Sequence, residues 1–394
     1  MPTLKRNIIL GLLSILCAAS SHAGPNDSIP FKYAGHIYFP TVINDSIRCN
    51  LIFDTGGADI FGVDSVFLAQ SKWRPSRFAA AKARGAAGTK RIRIITDTTK
   101  VKLGDVESTY DIVPIFSLRD VVDCHTDGII GNRDINTTFF EINFEHGYIR
   151  RHPSLPAKTA DYTRLPIVYK NNKILFNAAV RIGDTVMRGL YLMDTGSGGT
   201  IDFTSEAARK YKLDSIPRKR QITDISNFGI GSKEQEYYVD MQSDLIIIGG
   251  DTIRKRVVSY LPEGVGAMGS REHLGIVGNA IWSKYNLLLD IAHRCVYIKR
   301  FKKDKGPSAE YDYGFRSRTD ICDGWIVSSL VRDGDAKRAG MEIGDTIVAV
   351  NGKPAKDFTW AEEENIGDVP HQTLDIRGLD GKAKHVKLEA RERW

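Results

Sequence analysis

At 394 residues the chain exceeds one ordinary core and suits two or three domains, each able to bury its own interior. Its 42% hydrophobic and 26% charged residues exclude a disordered or fibrous class. The formal charge of +7 is scattered through alternating, strand-like sequence instead of forming a basic stripe with aromatics, so there is no nucleic-acid signature.

At the start of the chain, Lys5 and Arg6 precede an apolar run from Ile8 to Ala19 and the small-residue site Ser21, His22, Ala23. That pattern reads as a signal peptide over residues 1–23, which makes the mature chain an exported one. The run is too short to span a bilayer, and no other stretch approaches the roughly 20 apolar residues a membrane span needs. Cys17 would suit a lipid anchor, but Leu16 is bulky where a small residue is usual. Cys49, Cys124, Cys295 and Cys322 remain after cleavage. Export permits disulfides among them, with three pairings open, and their dispersed spacing is not that of a zinc site. No metal or cofactor is expected.

From about residue 30 to 305 the sequence states one pattern twice. Ile43 to Ile47 form a turn between strands, and Cys49 to Phe53 lead into Asp54-Thr55-Gly56. Ile182 to Val186 and Gly189 to Met193 lead in the same way into Asp194-Thr195-Gly196. Downstream, Gly128-Ile129-Ile130-Gly131-Asn132 is answered by Gly275-Ile276-Val277-Gly278-Asn279. A two-strand hairpin follows each, over Phe140–Ile149 and Leu287–Ile298. Short helical turns are expected at Ser65–Ala69 and Ser205–Tyr211. Pro and polar residues at His152–Pro156 mark the boundary between the copies, and the charged Gly/Pro stretch Lys302–Ser308 marks a second. The predicted domains are two β-rich lobes, 24–155 and 156–305, and a third unit, 306–394.

Two carboxyls held side by side cannot both ionise easily, so they share a proton and offer a base and an acid together. The base activates water against a peptide carbonyl, and the acid protonates the carbonyl oxygen and then the leaving nitrogen. Glycine after Asp-Thr lets two such loops approach closely, and the threonine hydroxyl can hydrogen-bond backbone across the contact. Asp, Thr and Gly are also turn formers, but a turn has no reason to follow Leu-Ile-Phe or Tyr-Leu-Met and to recur with the same partner motif.

These residues resemble the aspartic peptidase family, in which Asp-Thr-Gly is answered downstream by two apolar residues and Gly. The resemblance covers about residues 30 to 300 and implies a mainly β fold: two homologous retropepsin-like β-barrel lobes forming an acid-protease cleft. It implies that Asp54 and Asp194 are the catalytic dyad, supported by Thr55, Gly56, Thr195, Gly196 and Ser197. The first motif departs from the family in having Gly57, where Ser, Thr or Ala is usual. Ser197 is placed to hydrogen-bond Asp194 and Gly57 offers Asp54 nothing, so Asp54 is expected to carry the shared proton. Gly-containing hairpins at Gly85 and Gly88, and at Phe228 and Gly229, match the two flaps of the retroviral branch, where they close over an extended polypeptide substrate. An ordinary mobile hairpin is the alternative. His125 and His273 precede the apolar-Gly motifs and are read as loop residues, not metal ligands. Arg91, Arg93, Arg218 and Lys219 are read as solvated strand faces.

The third unit shows alternating strands, a short helix ended by Gly340 and an Asn351-Gly352 turn. It resembles a PDZ domain, most specifically over Ala339 to Gly352. The resemblance implies a carboxylate-binding loop at Tyr313, Gly314 and Phe315, a helix over Thr359–Ile366 walling a groove, and a C-terminal peptide as ligand. The implied function is an exported bacterial aspartic endopeptidase of periplasm, outer envelope or medium, best suited to mildly acidic conditions. One chain supplies both aspartates, so a monomer suffices. A non-catalytic peptide-binding protein retaining cleft and groove is the alternative, with Gly57 the feature that leans toward it.

Overall fold

The computed structural model describes residues 28–394, apart from 58, 105, 136–138, 228, 232–235, 303–310, 321–323, 366–368 and 393. The expected signal peptide, Phe228, Cys322 and Ile366 lie outside the described residues. The architecture is mainly β, with two lobes of like construction and a C-terminal domain.

In the first lobe, strands His36–Ile43 and Ile47–Phe53 form a hairpin whose turn residues Asn44 and Asp45 both take positive φ. This is a conformation Asn and Asp tolerate better than most residues. Ile47–Phe53 then runs parallel to Gly128–Ile130, which pairs antiparallel with Phe61–Asp64. The second lobe repeats this. Lys173–Ile182 and Thr185–Met193 form the hairpin, Thr185–Met193 runs parallel to Gly275–Val277, and that strand pairs antiparallel with Ile201–Phe203. In each lobe a helix follows the motif loop, Ser65–Gln70 capped by the Asp64 carboxylate and Ser205–Lys210 capped by the Thr204 hydroxyl.

A six-stranded sheet joins the lobes. Its order is Ser28–Pro30, Tyr148–His152, Phe139–Asn143, Tyr285–Asp290, Cys295–Arg300, Thr163–Lys170, and the central pairing sets Phe140 opposite Leu289. Tyr285–Asp290 is buried along its whole length, as a strand covered on both faces should be. One apolar core runs through both lobes, with Phe53 stacked on Phe140 at 5.2 Å and Phe176 edge-on to Trp282 at 5.2 Å. Cys49, Cys124 and Cys295 are buried free thiols. No helix among the described residues is long and apolar enough to cross a membrane.

The C-terminal domain has its own core, including Trp325, Val327, Met341, Ile347, Leu374 and Val386. Helix Asp335–Arg338 ends at Gly340 with φ +87°, and Asn351-Gly352 forms a positive-φ turn. The groove helix spans Trp360–Asn365, opened by a reciprocal cap between Thr359 and Glu362. The domain is not tethered by a linker alone. Its strand Gly324–Val331 pairs antiparallel with Arg220–Ile225 of the second lobe, setting Thr223 opposite Val331 and Ile225 opposite Ser329.

Candidate active site

Two apolar strands, Ile47–Phe53 and Thr185–Met193, deliver Asp54 and Asp194 to the floor of one cleft. Each aspartate is held from beneath by its apolar-Gly strand: Asp54 N–H donates to Ile130 O at 2.9 Å and Asp194 N–H to Val277 O at 3.0 Å. Thr55 and Thr195 cross-brace the loops. Each hydroxyl accepts the other threonine's N–H at 3.0 Å, Thr55 Oγ1 donates to Met193 O at 2.8 Å, and Thr195 Oγ1 donates to Phe53 O at 2.7 Å. Asn132 and Asn279 complete the symmetry, each Nδ2 donating to the carbonyl of its own motif threonine at 2.6 Å. The repeated sequence motifs include both asparagines but give no sign of this role.

The motif glycines are required by proximity. A Cβ on Gly56 would stand 2.6 Å from Asp194 Cγ, and one on Gly196 would stand 2.4 Å from Asp54 Cγ. Each glycine therefore lies directly against the opposite carboxyl, and the two carboxyls hydrogen-bond each other. Gly56 N–H donates to Asp54 Oδ1 and Gly196 N–H to Asp194 Oδ1, both at 2.8 Å.

Burial raises both carboxyls above the ordinary aspartate range, and the negative charge of Asp194 lifts Asp54 further. Asp194 is favoured as the anion by the Asp54 hydrogen bond, the Gly196 N–H, the Lys173 ammonium and the Ser197 N–H. Asp54 receives the matching Gly56 and Gly57 N–H groups, so backbone donors do not separate the two carboxyls, and the expected role of the Ser197 hydroxyl needs correcting. The Ser197 hydroxyl accepts from Gly199 N–H at 3.2 Å and hydrogen-bonds Asp202; Asp194 receives the Ser197 backbone instead.

Asp202 is a site residue that the sequence did not disclose. Burial, then the charges of Asp240 and Asp194, push its carboxyl up to about 7. It lies opposite Ser259, which in turn lies opposite Asp240, so three cleft-facing side chains form a row across adjacent strands. His36 is a second such residue, its Nε2 3.1 Å from Gly196 O and its imidazole held neutral by burial.

The two Gly-containing hairpins meet above the cleft, a cavity of about 1520 Å³. The first is the hairpin Phe78–Gly85 and Gly88–Ile95; the second rises from Arg220–Ile225 and Glu236–Gln242. Ala87 N–H donates to Ile230 O at 3.3 Å, and Met268 N–H to Ala86 O at 3.1 Å. A Cβ on Gly85 would come within 2.3 Å of Ile230 O, so the tips touch backbone to backbone. Gly229 lies in the second tip, its N–H on Asn227 Oδ1 at 3.0 Å. Arg316, Ser328 and Ser329 of the C-terminal domain also line the cavity.

His125 pairs with Glu363 at 3.1 Å and stacks on Trp360, while His273 is buried in its lobe. Tyr313 is in the core of the C-terminal domain with its hydroxyl on Val369 O, and Gly314 takes φ +79° before Phe315 opens the next strand.

Residues 304–367 match the family model of the PDZ domain. Among curated proteins the chain is similar to the periplasmic serine endoprotease DegP of Escherichia coli strain K12 and of Escherichia coli O157:H7, 22% identical over 206 residues in each case. Those matches take in 48% of this chain and 41% of DegP, so less than half of the relative's length is represented. Among solved structures it is similar to an aspartic proteinase from Irpex lacteus, with a TM-score of 0.43 and 12% identity over 69% of this chain and 96% of that one. The chain is a mainly β, two-lobed protein with a C-terminal PDZ domain.

Proposed function

We propose that the protein is an aspartic endopeptidase that hydrolyses peptide bonds with a water held between Asp54 and Asp194. The observation that carries this reading is the reciprocity of the two loops, in which each motif glycine lies against the opposite carboxyl at the floor of a cleft. The Asp194 carboxylate takes a proton from the water as its oxygen bonds to the scissile carbonyl carbon, and Asp54 gives its proton to the carbonyl oxygen. When the tetrahedral intermediate collapses, the C–N bond breaks and a proton passes from the dyad to the leaving nitrogen. An extended peptide lies under the flap tips as an added strand, with Gly85, Gly88 and Gly229 as its backbone contacts. Both carboxyls come from one chain, which makes a monomer sufficient.

DegP's name gives it a serine mechanism, and its similarity supports a protease without choosing the type. The cleft favours the aspartic type: its histidine, His36, directs Nε2 to the Gly196 carbonyl and not to a serine hydroxyl. Gly57, the feature leaning toward a non-catalytic protein, has a local cause, because a Cβ there would stand 2.7 Å from Asp54 Oδ2. The PDZ domain recruits or gates substrate, and the chain is exported, with periplasm, outer envelope or medium as its location. Inhibition of cleavage by a statine-type hydroxyl compound and indifference to a fluorophosphonate are expected. The opposite pair of results would replace the aspartic reading with the serine one.

A further inference from the structure

The groove of a PDZ domain lies between the strand after the carboxylate loop and the longer helix, here Phe315–Asp320 and Trp360–Asn365. Both walls touch the same short piece of the first lobe. From the strand, Arg318 Nη1 reaches Arg119 O at 3.2 Å and Asp120 Oδ1 at 2.9 Å, and Thr319 Oγ1 stands 3.3 Å from Cys124 Sγ. From the helix, Trp360 stacks on the His125 ring at 4.2 Å with an interplanar angle of 11°, and Glu363 Oε2 lies 3.1 Å from His125 Nε2. Trp360 is also edge-on to Tyr38 at 4.9 Å and lies under the Lys32 ammonium at 3.7 Å. Indole and imidazole faces in parallel contact are a specific arrangement; burial, which lowers the imidazole's pKa, is outweighed by its hydrogen bonds to Cys124 and Glu363, which raise it.

The other end of the groove carries an independent observation. A carboxylate-binding loop works by offering free backbone N–H groups to a peptide's terminus. In this loop the Gly314 N–H already donates to the Asp312 side chain at 2.7 Å. An incoming carboxylate would lose that donor and face a like charge at hydrogen-bond range. Gln221 of the second lobe closes on the same aspartate, its Nε2 3.4 Å from Asp312 Oδ2.

We infer that the PDZ groove is an internal docking surface whose ligand is segment 119–125 of the first lobe, and that it does not receive the free C-terminus of a separate peptide. The domain is then a clamp. One side of it extends the second lobe's flap strand through the pairing of Ile225 with Ser329, and the other holds the first lobe by the segment that leads into Gly128–Ile130 beneath Asp54. Substrate reaches the cleft when that clamp opens, which makes the domain a gate and not a recruiting arm. The inference concerns the groove and stands whether or not the dyad is catalytic.

Two measurements on the full mature chain test it, and neither depends on cleavage. The first is hydrogen exchange across residues 119–126 in wild type and in an Arg318→Ala, Trp360→Ala double variant. We expect exchange there to rise about tenfold or more while the strands of the six-stranded sheet stay protected. If the double variant unfolds, Arg318→Glu, which sets a carboxylate against Asp120, replaces it with the same expectation. The second is binding of a random peptide library with free C-termini, set beside the same library amidated. Wild type should show no preference for free carboxylates. Unchanged exchange in a folded variant, or carboxylate-dependent capture by wild type with 119–126 still protected, would overturn the inference.

Discussion

Gly57 and Ser197 occupy equivalent positions after the two motifs, yet the structure gives them different work. The Gly57 position has no room for a methyl group beside Asp54, whereas the Ser197 hydroxyl turns away from its own aspartate toward Asp202. Gly57→Ala should displace the Asp54 carboxylate and lower peptide turnover by about tenfold or more, while thermal unfolding moves little because the core is untouched. Asp202 supplies a pH signature. Its carboxyl is raised to about 7 in the folded chain and is ordinary when unfolded, so between about pH 4 and 7 the folded state binds more protons than the unfolded one. Stability must therefore fall as pH rises through that window. Asp202→Asn should flatten this part of the curve of unfolding temperature against pH; an unchanged slope would mean the carboxyl titrates normally.

At the level of elements, the threonine brace is the joint that makes two hairpins into one site. Thr195→Val would leave the Thr55 N–H and the Phe53 carbonyl without their partners in a buried contact, at a cost of about 3 kcal/mol measurable by denaturant unfolding. The loops, the apolar strands leading into them and the helical turns after them were legible because each rests on local chemistry repeated in both halves. Asp202 was not legible: a single polar residue between Ile201 and Phe203 reads as ordinary strand alternation, and its polar company comes from distant parts of the chain, with Ser259 opposite it and Asp240 opposite Ser259. The flap glycines were legible as turns, but not their contact with each other, which is set by the approach of two lobes and not by either hairpin. The contrast of Ser197 with Gly57 was legible but not its outcome: the Ser197 backbone acts on Asp194 where its side chain was expected, and the Gly57 backbone does the same for Asp54.

Across the whole molecule, a continuous core and a shared six-stranded sheet fix the lobes relative to each other, and the PDZ domain bridges them at the cleft rim. Its docking could not be read from sequence, because His125 and Glu363 are 238 positions apart and neither carries a local pattern. Ending the chain at residue 302 would unpair the edge of Arg220–Ile225 and uncover the apolar contact of Trp360 with Tyr38. Such a chain should self-associate by size-exclusion chromatography, as exposed strand edges do; a well-behaved monomer would show that the bridge is dispensable for folding.

The most direct test of the central claim is cleavage of a diverse peptide mixture across acidic to neutral pH by the mature chain and by Asp54→Asn and Asp194→Asn. A shared dyad predicts that each change alone abolishes cleavage, a loss on the order of a thousandfold or more, in chains that remain folded. Cleavage at the wild-type rate by either variant would contradict it.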